Sequence, residues 1–286
     1  PQQVQTAINE LQALLSRMPR NAVLHFNLGR ALASKGQFEQ ARTQFQESVK
    51  IDPGYLPARL ALARLHFYRR EFAHALQAAL DILQIDPRHL PAKLLRNDAL
   101  MGLGNPGQAR LDVLATMKEH PNSTDAVFQF AMLDFYERKY KEAEETLSKL
   151  YQGGAGDIRG LMFLAETYAA QHDYDKAIQL LKTELAKNPE RSDMRWVLAN
   201  MEVRSGKYDQ AVADLQWLLQ RNPKSPDLYF SLGETYRRKG DLKAAVEHVR
   251  KARDLRPSDV TQWLTLGLLL DATGQPAEAR SSYDQV

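Results

Sequence analysis

Cysteine is absent from all 286 residues, which excludes a disulfide framework, a thiolate metal site and a cysteine nucleophile, and leaves the redox compartment unread. No run of about 18 apolar residues occurs, so no segment is expected to span a bilayer. The opening PQQVQTAINE lacks the charged-then-apolar pattern of a leader. The expected protein is soluble, and its compartment stays open between cytoplasm and, with an upstream leader, periplasm. Neither sign of charge prevails: 38 Lys and Arg face 35 Asp and Glu, for a net charge of +3. The basic residues are interleaved with acids rather than clustered on one face, so no nucleic-acid partner is expected.

Catalytic signatures are missing as well. There is no H-E-x-x-H, G-x-S-x-G, S-x-x-K or Walker loop. None of the seven histidines sits beside another at helical spacing, and His25 and His66 fall on framework positions suited to packing. The reading is therefore no enzyme, with no catalytic, cofactor-binding or metal-ligating residue and no cofactor.

What the sequence does have is a clock. Alanine recurs at Ala7, Ala41, Ala75, Ala109, Ala143, Ala177, Ala211, Ala245 and Ala279, always 34 residues apart. Proline keeps the same time at Pro19, Pro53, Pro87, Pro121, Pro189, Pro223 and Pro257, and Ala155 fills the one missing beat. Counting Ala22 as position 1, each repeat holds apolar residues near positions 4, 7, 8 and 11 and again at 20, 24 and 27. Those spacings draw two amphipathic helices whose stripes must be buried against neighbours. The alanine marks a close helix crossing, the proline ends the second helix, and glycine at position 15 (Gly36, Gly104, Gly206, Gly240, Gly274) ends the first.

The stretch GLGNPG at 102–107 fits the dinucleotide pattern G-x-G-x-x-G and also resembles a peptidyl-tRNA hydrolase signature. Phosphate binding needs a preceding strand, and here an amphipathic helix, LPAKLLRNDALM, precedes it. The glycines are thus expected to form the turn of a helical hairpin. Two irregularities remain. Arg96 and Asn97 replace apolar and small residues, and Arg96 is expected to reach outward or to pair with an acid. The Gly153-Gly154 junction, within GGAGD, is expected to loosen a helix end, as a hinge.

A 34-residue helix-turn-helix unit closing on D-P or N-P, as in FNLGRALASKGQFEQARTQFQESVKIDP at 26–53, resembles the tetratricopeptide repeat. The resemblance covers essentially the whole chain. It implies an all-α fold, a right-handed α-solenoid of stacked helix-turn-helix repeats, forming a single array over 1–286. Residues 1–21 would be the second helix of a truncated repeat, followed by full repeats 22–55, 56–89, 90–123, 124–157, 158–191, 192–225 and 226–259 and a truncated repeat 260–286. No polar cap closes either end, so the chain is expected to continue beyond one or both, and self-association through uncapped ends is open to it.

In proteins of this kind the first helices line a concave groove that binds partner proteins. Mapped here, the groove comprises Phe26, Arg30, Leu60, Arg64, Phe67, Tyr68, Leu94, Met101, Phe128, Met132, Phe135, Tyr136, Met162, Trp196 and Phe230. Two specialisations of the family fail on inspection. The chaperone-tail carboxylate clamp wants Lys and Asn where Phe26 and Arg30 stand. The asparagine ladder of O-linked N-acetylglucosamine transferases meets only Asn27. The expected function is a protein-protein interaction scaffold that binds an extended or helical segment of an unidentified partner. Two alternatives are the substrate-recruiting arm of a larger enzyme and an envelope or polysaccharide-export assembly protein of bacteria.

Overall fold

The structure, a computed structural model, describes residues 2–152 and 158–286. The Gly153-Gly154 junction lies outside the described residues, which form seventeen α-helices and no strand. Two compact units are distinguished, Pro1–Lys139 and Tyr140–Val286.

The first unit contains α1 (Gln2–Arg17), α2 (Ala22–Ser34), α3 (Phe38–Ile51), α4 (Leu56–Tyr68), α5 (Phe72–Ile85), α6 (Leu90–Gly102), α7 (Pro106–Glu119) and α8 (Thr124–Tyr136). The second contains α9 (Tyr140–Gln152), α10 (Ile158–Ala170), α11 (Tyr174–Lys187), α12 (Ser192–Arg204), α13 (Tyr208–Arg221), α14 (Pro226–Lys239), α15 (Leu242–Leu255), α16 (Val260–Ala272) and α17 (Pro276–Tyr283). Even-numbered helices begin 34 residues apart, and odd-numbered helices from α3 onward do the same. Within each unit every helix packs on the next. First helices also touch across repeats, α4 on α6 and α6 on α8 in one unit and α10 on α12 in the other.

The clock alanines explain this regularity. Ala41, Ala75, Ala109, Ala143, Ala177, Ala211, Ala245 and Ala279 have 0% of their surface exposed, so each crossing admits a methyl group and nothing larger. Around them the stripes merge into local cores. Leu60, Ile82 and Leu95 form one, and Leu100, Val113 and Leu133 another, in the first unit; Leu181, Leu198 and Met201 meet in the second.

Every repeat reverses at position 15 with a left-handed residue. Gly36, Gly104, Gly206, Gly240 and Gly274 have φ from 72 to 93°, and Arg70, Arg138 and His172 adopt 61–62° at the same place. The closing bonds are alike: Arg138 N–H donates to Phe135 O at 2.9 Å and Lys139 N–H to Asp134 O at 2.8 Å. An L side chain costs free energy in this conformation that glycine does not. Arg138→Gly is therefore expected to stabilise the first unit by about 0.5–1 kcal/mol, measured as a shift in its urea midpoint; a loss of stability would refute it.

The GLGNPG stretch is such a turn. A Cβ on Gly102 would lie 2.5 Å from the Phe72 ring, so the missing side chain is what lets the two helices close. Gly104 supplies the left-handed residue, and Asn105 caps α7 by accepting from Gln108 N–H. A helix, not a strand, delivers these glycines.

Candidate functional site

Position 11 of the first helix carries Leu or Tyr in five repeats but His66, Asp134 and Glu202 in the other three. Each polar exception has acquired its own partner. Arg110 Nη2 lies 2.7 Å from Asp134 Oδ1 and 3.1 Å from Glu137 Oε2, with its guanidinium 5.0 Å from the Phe130 ring centre. Lys182 Nζ lies 2.9 Å from Glu202 Oε1, too poorly angled for a hydrogen bond. His66 Nδ1 lies 2.6 Å from Glu71 Oε2.

Glu202 is 0% exposed. Burial pushes its carboxyl up to about 6, against the pull of Lys182 and with Asp214 adding to the rise. A raised carboxyl pKa means that the folded state holds its proton longer than the unfolded chain, so stability falls as pH climbs from the ordinary value of 4.5 to about 6. Glu202→Gln is expected to stabilise the second unit by on the order of 1–2 kcal/mol at about pH 8 and to bring no gain near pH 4. All three tryptophans, Trp196, Trp217 and Trp263, lie in that unit, so fluorescence-detected urea unfolding reads it directly. An equal gain at both pH values would contradict the assignment.

The irregular pair in α6 proves to be structural on one side and open on the other. Arg96 Nε sits 2.9 Å from Asp112 Oδ2, the acid partner expected for it. Asn97 is 1% exposed and donates through Nδ2 to Gln129 Oε1 at 3.1 Å, while its own Oδ1 has no hydrogen-bond partner among the described residues. Gln129 in turn donates through Nε2 to Leu94 O at 2.9 Å and to Asp98 Oδ1 at 2.7 Å. Burial pushes the Asp98 carboxyl up to about 6; the Gln129 hydrogen bond and nearby Arg64 oppose the rise.

This network borders a cavity of about 410 Å3 in the first unit. Its walls include Phe67, Phe72, Met101, Met132 and Tyr136 beside Asn97, Asp98 and Gln129. A second cavity, about 350 Å3, is lined by Phe26, Arg30, Leu60, Arg64 and Tyr68. Arg30 stacks 5.7 Å from the Phe26 ring centre, and Phe26 meets Tyr55 edge-on at 5.5 Å. Tyr68 and Tyr136 are 76% and 59% exposed.

Nine of the residues mapped from sequence thus line these two cavities. Leu94, Phe128 and Phe135 line neither: Leu94 contributes its backbone carbonyl to the network, and Phe135 packs on Tyr136 at 5.9 Å. Met162, Trp196 and Phe230 belong to the second unit, where Phe230 borders a separate cavity with Glu234 and Arg237. There Trp196 packs against the core, and the charges compensate locally, Arg204 with Glu166 at 2.8 Å and Arg237 with Glu234 at 2.9 Å.

Phe72, Asn97, Asp98 and Gln129 line the first cavity and were not among the residues mapped from sequence. Asp98 stands at position 9, the place of Arg30, Arg64 and Met132, so the signal was present. Its importance depends on Gln129, 31 residues away. His66, Glu71 and His74 also converge, although their spacing in sequence offers no familiar ligand set. His25, by contrast, is held by Gln44 Oε1 at 2.8 Å and Pro19 O at 3.1 Å, as a framework residue.

Helix hairpins of one fixed period, packed helix on helix within each unit, define the α-solenoid class of repeat proteins. Family models for the tetratricopeptide repeat match residues 22–55 and 197–260, and the model for anaphase-promoting complex, cyclosome, subunit 3 matches 136–218. The chain is a tetratricopeptide repeat protein. None of the curated proteins matches its sequence.

Solved structures share the fold at low identity. A tetratricopeptide repeat protein from Parabacteroides merdae is 16% identical, with a TM-score of 0.63 over 87% of this chain and 98% of its own. Yeast Tom70 is 17% identical, with a TM-score of 0.73 over 95% of this chain, which spans 59% of the Tom70 chain. The human IFIT1 dimer with m7Gppp-AAAA is 18% identical, with a TM-score of 0.63 over 98% of this chain and 76% of its own. No helix among the described residues is long and apolar enough to cross a membrane.

Proposed function

We propose that the chain is a non-catalytic docking scaffold that captures one segment of a partner protein on the first-helix face of its first unit. The observation that carries this reading is the cavity beside α6, whose lining is largely apolar and includes Asp98. An apolar side chain with an N–H donor at its tip, as tryptophan has, matches both parts. The neighbouring cavity, bordered by Arg30 and Arg64, suits an acidic residue of the same segment.

Burying one such anchor contributes about 1.5–3 kcal/mol, whereas association costs several kcal/mol or more. The segment must therefore fill both cavities and lie along the exposed rings of Tyr68 and Tyr136. Capped RNA, which accompanies human IFIT1, fits less well, because Asp98 would face phosphate with like charge.

Panning a random peptide library on the full chain tests the proposal. Peptides pairing an acidic residue with tryptophan should be enriched, and Tyr136→Ser should reduce their affinity without altering helical content. Enrichment of no peptide, or retention only of an RNA oligonucleotide, would overturn it.

A further inference from the structure

The turn of the second full repeat brings three donor side chains together. His66 lies in the last turn of α4, Glu71 immediately precedes α5, and His74 lies in its first turn. One ligand atom from each falls within 4.8 Å of the others. The two imidazoles stack with ring centres 5.5 Å apart and planes inclined by 26°. Their backbone is fixed from both sides: Arg70 N–H donates to Phe67 O and Glu71 N–H to His66 O, each at 2.9 Å. Ala75, one residue beyond His74, is sealed in the helix crossing.

We propose that His66, Glu71 and His74 bind a divalent first-row transition-metal ion of the zinc class, which joins the two helices of this repeat across their turn.

The donor set selects the metal. Two imidazoles and one carboxylate suit zinc, nickel, copper or cobalt, whereas magnesium and calcium call for oxygen ligands throughout. Bonds of about 2.0–2.2 Å to a tetrahedral ion place ligand atoms roughly 3.3–3.5 Å apart. The 2.6 Å contact between His66 and Glu71 must therefore open, and His74 must draw in. His74 is exposed, so its side chain has room to move. Three protein ligands leave the fourth position to water or to a donor from outside.

Neighbouring charge does not block the site. Arg69 Nε is 3.5 Å from Glu71 Oε1, while its Nη1 is engaged by Glu39 Oε1 at 3.0 Å. The guanidinium thus occupies the other carboxylate oxygen and leaves Oε2 to the imidazole side. Because the ligands come from both helices, an ion that binds only the folded hairpin stabilises it by mass action.

The test uses the untagged full chain, freed of metal by chelation and titrated with zinc chloride by calorimetry. Cobalt absorption in the visible range reports coordination number. One equivalent of zinc per chain should bind and raise the melting temperature, with magnesium inactive. His74→Gln and His66→Gln should each weaken zinc binding at least about tenfold, and His248→Gln, remote from the turn, should leave it unchanged. His74→Gln alters an exposed side chain, so its effect is separable from misfolding, and circular dichroism checks this. Absence of saturable zinc binding in the wild type, or full affinity in both His66→Gln and His74→Gln, overturns the proposal.

Discussion

Arg110→Met is expected to destabilise the first unit by about 3–5 kcal/mol, the largest single effect anticipated in this chain. The Asp134 side chain is only 4% exposed, and its guanidinium partner also holds Glu137. Lys139 Nζ, 2.7 Å from Glu137 Oε2, can still serve Glu137. Removing Arg110 leaves the Asp134 carboxylate in a packed crossing with its countercharge gone, and desolvation is no longer offset.

The compensating experiment is Arg110→Met combined with Asp134→Leu. Leucine at position 11 is what Leu32, Leu100 and Leu270 already provide in other repeats. The double variant should recover most of the loss, since a well-packed apolar pair often equals or exceeds a buried ion pair. Far-UV circular dichroism under urea follows the helices of both units, and tryptophan fluorescence, which reports the second alone, identifies the part of the signal that belongs to the first. A loss below about 1 kcal/mol for Arg110→Met would show the carboxylate to be adequately solvated.

Asp98→Asn is expected to act in opposite directions on stability and on capture. Burial raises the carboxyl from its ordinary value of 3.8 to about 6. The folded state therefore holds the proton longer than the unfolded chain, and stability falls as pH rises through that window. Above it the deficit is complete, on the order of 2 kcal/mol once partial solvent access is allowed for. Asparagine removes the deficit and can still accept from Gln129. The variant should melt higher than wild type at about pH 8 and lose that advantage near pH 4.

The same substitution removes the ionised acceptor from the cavity lining. Peptides selected for a tryptophan anchor should bind Asp98→Asn about tenfold more weakly, because a charge-assisted hydrogen bond becomes a neutral one. Higher stability with unchanged peptide affinity would separate the carboxylate from the docking site. Lower stability would refute its buried, proton-favouring setting.

The helices were legible because their information is local and repeated. Ala41 through Ala279 and the glycines of position 15 state the same rule many times, so an exception such as Arg96 does not blur the pattern. The proposed docking site was legible only in outline. Tyr68, Met101, Met132 and Tyr136 follow from their positions in the first helices, and the cavities include them. Phe128 shares position 5 with Phe26 and Leu60, and Phe135 shares position 12 with Phe67 and Met101, yet neither joins a cavity, because position alone does not say where neighbouring helices leave space. The polar part of the lining depends on a contact between Asp98 and Gln129, and the histidine cluster depends on a turn that brings His74 back to His66. Neither pairing has a fixed spacing that a periodic reading detects.

The left-handed turns bear on the order in which the stack comes apart. In an array held by nearest-neighbour contacts, hairpins open locally with individual free energies. Five reversals rest on glycine, and those at Arg70, Arg138 and His172 spend part of their closing energy on an unfavourable backbone. These three are the weak latches of an otherwise uniform series. Hydrogen-exchange mass spectrometry should find their closing amides, Glu71, Lys139 and Asp173, exchanging ahead of their counterparts Asn105, Lys207 and Asp241. The chain would then yield to heat, force or a protease at places set by which residue occupies one angle rather than by how much surface each repeat buries.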